Sequence, residues 1–183
     1  LCSGQSNMEM PMRGFPSQPV EGAAAEIAAS LKYKGLRLFT VGRCCADTPQ
    51  SGCRGVWSQA TPRQVANFSA VAYLFGRRLT ETLDVPVGLI VSSYGGSRIE
   101  SWMDAETIAK FDPKDYIAHA DKPYRDPCKL YNGMIEPLTG YAVRGVVWLQ
   151  GESNRRNAHI YTSMLRELMG LWRRKWSQPE MPF

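Results

Sequence analysis

The chain has 183 residues, of which 44% are hydrophobic and 21% charged, and its formal net charge is +5. This balance fits one globular domain with a sizeable core, and it excludes a membrane-spanning helix because no stretch approaches the roughly 20 apolar residues that a span requires. The basic residues are scattered without a nucleic-acid motif, and the five cysteines show no zinc-like spacing with the two histidines, so we expect neither nucleic acid nor a metal as a partner.

The chain opens on what we interpret as the end of a strand, and residues 3–8 (SGQSNM) follow it. A serine at a strand-to-loop turn is a candidate nucleophile whose backbone N–H can also bind an oxyanion. The segment lacks the second glycine of a Gly-x-Ser-x-Gly elbow. Taken alone, Ser6 therefore also fits a turn residue that hydrogen-bonds its own backbone.

Residues 24–31 carry apolar side chains at helical spacing, and residues 36–41 predict a strand. Residues 42–60 are rich in Gly, Pro, Ser and Cys, and a loop of this length is often functional. A disulfide from Cys53 to Cys44 or Cys45 would suit an exported protein, which is the localisation we expect. Free thiols are the alternative.

The clearest helix begins after Thr61, with Pro62 in its first position and Gln64 completing a capping box. Its apolar residues follow at steps of three and four from Val65 to Leu83. The sequence therefore predicts one continuous amphipathic helix over this span.

Residues 87–91 form a short apolar run, which is typical of a strand buried on both faces, and Gly95–Gly96 follow its end. Glycines in this place let the backbone approach a ligand and present N–H groups to an oxyanion. A simple tight turn is the alternative. Residues 105–128 lack periodicity, and we expect an irregular segment with one short helix.

Residues 143–149 predict another buried strand, and residues 150–154 (QGESN) follow it. A side-chain amide there can donate to an oxyanion, or the segment is a polar approach to a helix with Ser153 or Asn154 as its cap. Glu152 has no second carboxylate placed for a glycosidase pair, so we discount glycoside hydrolysis. A last helix is expected over 160–172, and residues 181–183 resemble the entry to a further strand.

Strands that alternate with amphipathic helices predict an α/β fold, with a parallel sheet in a single domain over residues 1–183. Ligands bind to such sheets beyond the carboxyl ends of the strands. Ser6, Gly95–Gly96 and residues 150–152 each follow a predicted strand end, so we expect them on one rim. This convergence indicates a site more strongly than any one motif.

The motifs together resemble the sialate O-acetylesterase and acetylxylan esterase branch of the SGNH hydrolases. Residues 1–11 (LCSGQSNMEMP) are similar to its first conserved block, and residues 93–102 (SYGGSRIESW) to its second. Residues 131–138 (YNGMIEPL) and 145–154 (GVVWLQGESN) are similar to the segment that leads into its third block and includes it. The matches occur in family order and span nearly the whole chain.

The resemblance implies a three-layer, flavodoxin-like sandwich and a serine esterase that needs no cofactor. Ser6 would be the nucleophile, and its N–H would form the oxyanion hole with the N–H of Gly96 or, as the alternative, Gly95. Gln150 would be the third donor, with Asn154 as the alternative. The resemblance also places several side chains near the substrate: Asn7, Arg98, Glu100, Trp102 and Glu152. For positions 98–102, a capped helix start with one core aromatic is the alternative.

The family's general base is a histidine in an Asp-x-x-His block, and this sequence does not match it. Tyr116 stands three residues before His119, and Arg156 stands three before His159. We therefore interpret both histidines as structural or surface residues. We expect the chain to be a fragment cut at both ends, with the histidine in the remaining part of the same polypeptide, and to be nearly inactive alone. The alternative is that a partner segment supplies the missing strand and the histidine.

The predicted function is removal of acetyl groups from sialic acid or an acetylated polysaccharide, and Arg98 is a candidate partner for an anionic sialate. Two alternatives stay open. One is an inactive homologue that only binds carbohydrate. The other is a lipase or thioesterase of the same fold, which would need a long apolar groove.

Overall fold

A computed structural model describes residues 1–116 and 122–183. Its strands and α-helices are, in chain order, β1 (Cys2–Gly4), α1 (Ser6–Glu9), α2 (Ala23–Ala29), β2 (Leu36–Thr40), β3 (Ser58–Gln59), α3 (Pro62–Asn67), α4 (Ala70–Leu83), β4 (Val87–Ser93), α5 (Ala105–Ile108), β5 (Val147–Leu149) and α6 (Ala158–Lys175). Short 3-10 helices occupy Ser30–Lys32, Ile99–Trp102, Pro113–Asp115, Pro123–Arg125, Glu136–Leu138 and Glu152–Asn157, and a π-helix occupies Tyr131–Ile135.

The five strands form one sheet in the order β3-β2-β4-β1-β5. Strands β2, β4, β1 and β5 are parallel, and β3 pairs antiparallel with β2 at one edge. In the centre of the sheet, Cys2 lies opposite Val91 of β4 and Val147 of β5. Strand β1 therefore lies between the parallel strands β4 and β5. The loop that follows β1 lies between the loops that follow β4 and β5.

Two hydrophobic cores cover the two faces of this sheet, because successive residues of a strand point to opposite sides. Ile90 belongs to the core that contains Trp172 of α6. Its neighbours Leu89 and Val91 belong to the other core, which contains Tyr73 of α4. The sheet thus lies between two helical layers, and the three-layer α/β prediction is confirmed.

The prediction of one helix from 62 to 83 is wrong, because the chain breaks between α3 and α4. At the break the Met12 N–H donates to the Phe68 carbonyl oxygen (2.8 Å), and the Ala70 N–H donates to the Met10 carbonyl oxygen (2.9 Å). Ser69 then caps α4 by accepting from the Ala72 N–H (3.1 Å). The predicted capping box is not formed, since Thr61 makes no side-chain cap bond.

Three smaller expectations also differ from the structure. The 42–60 loop contains strand β3, and the strand predicted over 143–149 is limited to β5. Residues 181–183 form no strand, although the Pro182 carbonyl oxygen accepts from the Val146 N–H (2.9 Å). Cys44, Cys45 and Cys53 are free thiols, so the structure contains no disulfide in this loop. Among the described residues, no helix combines the length and apolarity needed to cross a membrane.

Candidate active site

The structure brings together the loops that follow β1, β4 and β5. Directly before the candidate nucleophile, the Gln5 N–H donates to the Leu149 carbonyl oxygen at the end of β5 (3.0 Å). One residue earlier, the Gly4 carbonyl oxygen accepts from the Tyr94 N–H at the end of β4 (3.0 Å). The expected convergence of the three motifs on one rim is therefore present in the fold.

Ser6 is the first residue of α1 and is partly exposed. Its N–H belongs to the first turn, where a helix offers no internal acceptor. Gly95 lies beside it, because a Cβ built on Gly95 would stand 3.7 Å from the Ser6 Cβ. A serine hydroxyl and backbone donors from two loops thus share one small volume, as acyl transfer requires.

The two glycines at this point have different hydrogen bonds. The Gly95 N–H donates to the Glu9 Oε2 atom (2.9 Å). Among the described residues, no acceptor takes the Gly96 N–H. Gly96 also has φ +76°, a left-handed conformation that a glycine adopts without strain. The geometry therefore favours Gly96 over Gly95 as an oxyanion donor.

Gln150 lies in a polar network beneath the rim. Its Nε2 atom donates to the Gln5 Oε1 atom (3.1 Å), the Ser97 carbonyl oxygen (3.1 Å) and the Asn154 Oδ1 atom (2.7 Å). The Tyr161 hydroxyl donates to the Gln150 Oε1 atom (2.8 Å). Because an amide nitrogen has two protons, Gln150 would have to give up some of these partners to bind an oxyanion.

Gln5 is the acceptor that connects this network to the nucleophile turn. Besides Gln150, its Oε1 atom accepts from the Gly151 N–H (3.3 Å) and the Ser153 N–H (3.3 Å). Gln5 is only 3% exposed, so these bonds are made away from bulk water. The loop after β5 is thus fixed against the residue that precedes Ser6.

Asn154 and Glu100 lie deeper in the same network. Asn154 is 1% exposed, and its Nδ2 atom donates to the Glu100 Oε2 atom (2.7 Å) while its Oδ1 atom accepts from the Ile99 N–H (3.1 Å). Glu100 is also 1% exposed, and its burial raises the pKa of its carboxyl group. Direct substrate contact by Glu100 does not fit this burial, and the alternative of a structural role fits better.

The neighbours of Glu100 in the second motif face the same interior. Trp102 is fully buried, and its indole N–H donates to the Ser97 hydroxyl oxygen (3.0 Å). The Arg98 side chain is 13% exposed, and its Nη1 atom lies 3.9 Å from the Glu100 Oε1 atom. Trp102 is thus a core aromatic, and Arg98 is close to a buried carboxylate.

Asn7 and Glu152 lie on the exposed side of the rim. The Asn7 amide donates to the Glu152 carboxylate, and both residues are exposed. They connect the first turn of α1 to the loop after β5. Asn7 follows Ser6 directly in the chain, and Glu152 is hydrogen-bonded to Asn7, so both residues stay predicted substrate contacts.

Four rim residues received no role from the sequence: Arg43, Tyr94, Tyr124 and Arg125. The Tyr94 and Tyr124 rings stack with 4.6 Å between centroids, and the Arg43 guanidinium lies 4.6 Å from the Tyr94 centroid. The Arg125 Nε–H donates to the Gly96 carbonyl oxygen (3.0 Å). Tyr94 adjoins Gly95 and could have been singled out for that reason. The others come from aperiodic segments, where spacing carries no information.

His159 forms no hydrogen bond or ion pair with the rim residues that the structure describes. His159 is exposed at the start of α6, and its Nε2 atom lies 3.6 Å from the Asp115 Oδ1 atom. His119 lies outside the described residues. In residues 1–116 and 122–183, no group of His, Cys, Asp and Glu is arranged to hold a metal ion.

Comparisons with a family model and with curated proteins both find acetylesterases. The family model described as carbohydrate esterase, sialic acid-specific acetylesterase matches residues 1–183. The sialate O-acetylesterases of Pongo abelii and Homo sapiens are each 35% identical over 186 residues, covering 94% of this chain and 34% of theirs. That of Mus musculus is 33% identical, covering 94% and 38%. The chain thus spans roughly a third of the length of these relatives.

Two solved structures have a similar fold. A carbohydrate acetylesterase from Xanthomonas citri has a TM-score of 0.88 and 33% identity, and the match covers 100% of this chain and 39% of that one. A protein from Arabidopsis thaliana has a TM-score of 0.54 and 18% identity, covering 98% and 69%, so it supports the fold alone. Since the family model covers the whole chain and agrees with these relatives, the chain belongs to the family of sialic acid-specific carbohydrate acetylesterases.

Proposed function

We propose that the polypeptide containing this chain is a carbohydrate O-acetyl esterase in which Ser6 is the nucleophile. The observation that carries the proposal is that Ser6, after β1, lies beside Gly95, after β4, in a chain of the acetylesterase family. The substrate is an acetylated sugar, with an O-acetylated sialic acid as the first candidate. Exposed polar side chains around Ser6, such as Asn7 and Glu152, suit a hydroxylated substrate.

The reaction proceeds by acyl transfer. The Ser6 Oγ atom attacks the acetyl carbonyl carbon, and the Oγ proton passes to a base. The negative charge that develops on the carbonyl oxygen is stabilised by the N–H groups of Ser6 and Gly96. The sugar hydroxyl leaves with a proton, which gives an acetyl-serine, and a water molecule then releases acetate. None of these steps requires a cofactor.

The base in this proposal is a histidine outside these 183 residues. The His159 Nε2 atom lies 3.6 Å from the Asp115 Oδ1 atom, and neither histidine follows an Asp-x-x-His pattern. The relatives are about three times as long as the segment they share with this chain, which leaves room for such a block. A serine without its base retains only the contributions of binding and the oxyanion hole, so its rate is lower by several orders of magnitude.

The third oxyanion donor is part of the proposal. Gln150 is the candidate, because it lies between Gln5 and Ser97 at the end of β5. Its amide donates to three oxygens, one of them on Asn154, so Gln150 would exchange one of these partners for the oxyanion. Asn154 is the less suitable donor, since its Nδ2 atom is buried against Glu100.

Acetate release tests this function directly. The polypeptide extended through its next Asp-x-x-His block is incubated with an O-acetylated sialoside and, separately, with acetylated xylan. We expect acetate from at least one substrate and a decrease of about 10³-fold or more in the Ser6→Ala variant. No acetate from either substrate, or equal rates for the variant, would contradict the proposal. Equal rates for the 183-residue chain and the extended one would place the base within this chain.

A further inference from the structure

The Gly95–Gly96 peptide is the unit that presents the Gly96 N–H, and the peptides on both sides of it are fixed by hydrogen bonds. The preceding peptide is held at its N–H, where Gly95 donates to the Glu9 Oε2 atom (2.9 Å). The following peptide is held twice: the Ser97 N–H donates to the Tyr94 carbonyl oxygen (3.2 Å), and the Gly96 carbonyl oxygen accepts from the Arg125 Nε–H (3.0 Å). The orientation of the peptide in the middle is therefore set from two sides.

On one side, Glu9 is itself held by a second residue. The Arg43 Nε–H donates to the Glu9 Oε1 atom (3.0 Å), and the Arg43 Nη2 atom donates to the same oxygen. This leaves the Oε2 atom directed at Gly95, and a Cβ built on Gly95 would lie 2.7 Å from it. Glu9 is on the last turn of α1, the helix that Ser6 begins, so one short element carries both the nucleophile and this acceptor.

On the other side, Arg125 covers Gly96. A Cβ built on Gly96 would lie 3.6 Å from the Arg125 Nη2 atom and 3.4 Å from the Tyr124 Cε2 atom. Arg125 also lies over the Tyr124 ring, 5.7 Å from its centroid. The Arg125 guanidinium thus contacts both the Tyr124 ring and the Gly96 carbonyl oxygen.

This arrangement matters because glycines are free to change their backbone conformation. A pair of glycines has access to several φ/ψ regions, so its central peptide can rotate unless its neighbours are held. An oxyanion donor is effective only when it lies about 2.7–3.1 Å from the developing charge. Rotation of the Gly95–Gly96 peptide would turn the N–H away and leave the hydroxyl of Ser6 in place.

We infer that Glu9 and Arg125 are positioning residues that clamp the Gly95–Gly96 peptide in the orientation of an oxyanion donor. The inference rests on the proposed function. Glu9 acts through the Gly95 N–H, and Arg43 supports it through the carboxylate. Arg125 acts through the Gly96 carbonyl oxygen. None of the three contacts the reacting atoms, so they stabilise the transition state through the backbone and leave substrate binding unchanged.

The test compares Glu9→Met and Glu9→Gln with the wild-type extended polypeptide on p-nitrophenyl acetate. Loss of the acceptor in Glu9→Met should lower kcat about 10- to 100-fold with KM within about twofold, since complete loss of one oxyanion donor costs about 10²–10³. Glu9→Gln keeps an oxygen that can accept from Gly95, so it should recover most of the rate. Glu21→Gln, an exposed glutamate outside the rim, is the matched control and should behave as wild type.

Arg125→Met provides an independent measurement on the opposite side of the peptide. Both residues act on one peptide. The factor by which kcat falls in the double variant Glu9→Met/Arg125→Met should therefore be smaller than the product of the factors for the two single variants. If Glu9→Met unfolds at a lower temperature than wild type, Arg43→Gln replaces it, because the Arg43 side chain is 56% exposed and its removal leaves the core intact. It should lower kcat about 3- to 10-fold, less than loss of the acceptor itself.

Three results would overturn the inference: a rate for Glu9→Met equal to that of Glu21→Gln, a loss confined to KM, or fully multiplicative losses in the double variant. Each requires an active wild-type enzyme. An inactive wild type on every acetyl ester would instead contradict the proposed function, so the two failures are distinguishable.

Discussion

Substitution of Gly4 by alanine should damage both the sheet and the nucleophile turn. Gly4 ends β1 with φ +140°, where a side chain is strained, and it lies opposite Leu149 of β5. An added Cβ would lie 2.1 Å from the Leu149 carbonyl oxygen and 2.6 Å from its carbonyl carbon. That oxygen accepts the Gln5 N–H, so relief of the clash has to move the residue that precedes Ser6.

The magnitude follows from two contributions. A non-glycine residue in a sparsely populated backbone region costs about 1–3 kcal/mol, and overpacking against a neighbour that cannot move costs about the same again. Both atoms of the clash are backbone atoms between paired strands, so no side chain can rotate out of the way. We therefore expect Gly4→Ala to lower the free energy of unfolding by about 2–6 kcal/mol, or Tm by roughly 5–20 °C.

Thermal unfolding followed by circular dichroism measures this change against two matched variants. Gly22→Ala has φ +73° with no atom within 4 Å, so it reports backbone strain alone and should cost about 1–2 kcal/mol. Gly140→Ala has open space and no left-handed φ, so it should lie within about 0.5 kcal/mol of wild type. If Gly4→Ala melts together with Gly140→Ala, the close approach of β1 and β5 is refuted.

Three further predictions concern the core, the buried carboxylate and the thiols. Leu168→Ala, at a fully buried position of α6, should cost about 2–5 kcal/mol in urea unfolding, and a cost below 1 kcal/mol would contradict its place in the core. Burial raises the pKa of Glu100 above the ordinary 4.5, so the native state binds its proton more tightly than the unfolded chain. The stability of the wild type should therefore fall relative to Glu100→Gln as the pH rises from about 4 to about 8 in a Tm series, and a constant difference would exclude this titration. Burial raises the pKa of Cys128 to about 11, so iodoacetamide near pH 8 should alkylate the exposed Cys44 first, and the reverse order in peptide mapping would contradict this exposure.

The sheet could be predicted from the sequence because its strands have simple apolar patterns. Residues 87–91, a short apolar run, lie in β4, and the strand predicted over 36–41 matches β2 except for its last residue. The helix break at 68–69 could not be predicted in this way. It depends on hydrogen bonds to Met10 and Met12, which are distant in sequence and have no local signal.

The rim could be predicted from the same logic, since parallel strands end at one edge of a sheet. The burial of each side chain could not be predicted in this way. Glu100 and Trp102 stand beside Arg98 in a polar motif, yet both are buried, because the chain turns inward there and Asn154 supplies a partner. The contribution of Arg125 depends on where an aperiodic segment folds back onto Gly96, and residue spacing does not encode that contact.

The central claim is that Ser6 carries the acetyl group during turnover, and trapping that intermediate tests it most directly. The extended polypeptide is mixed with an acetyl ester, quenched rapidly in acid, digested and mapped by mass spectrometry. We predict an acetyl group on the peptide that contains Ser6, absent from the Ser6→Ala variant. Acetate release that continues in that variant, or an acetyl group found only at another residue, would contradict the assignment.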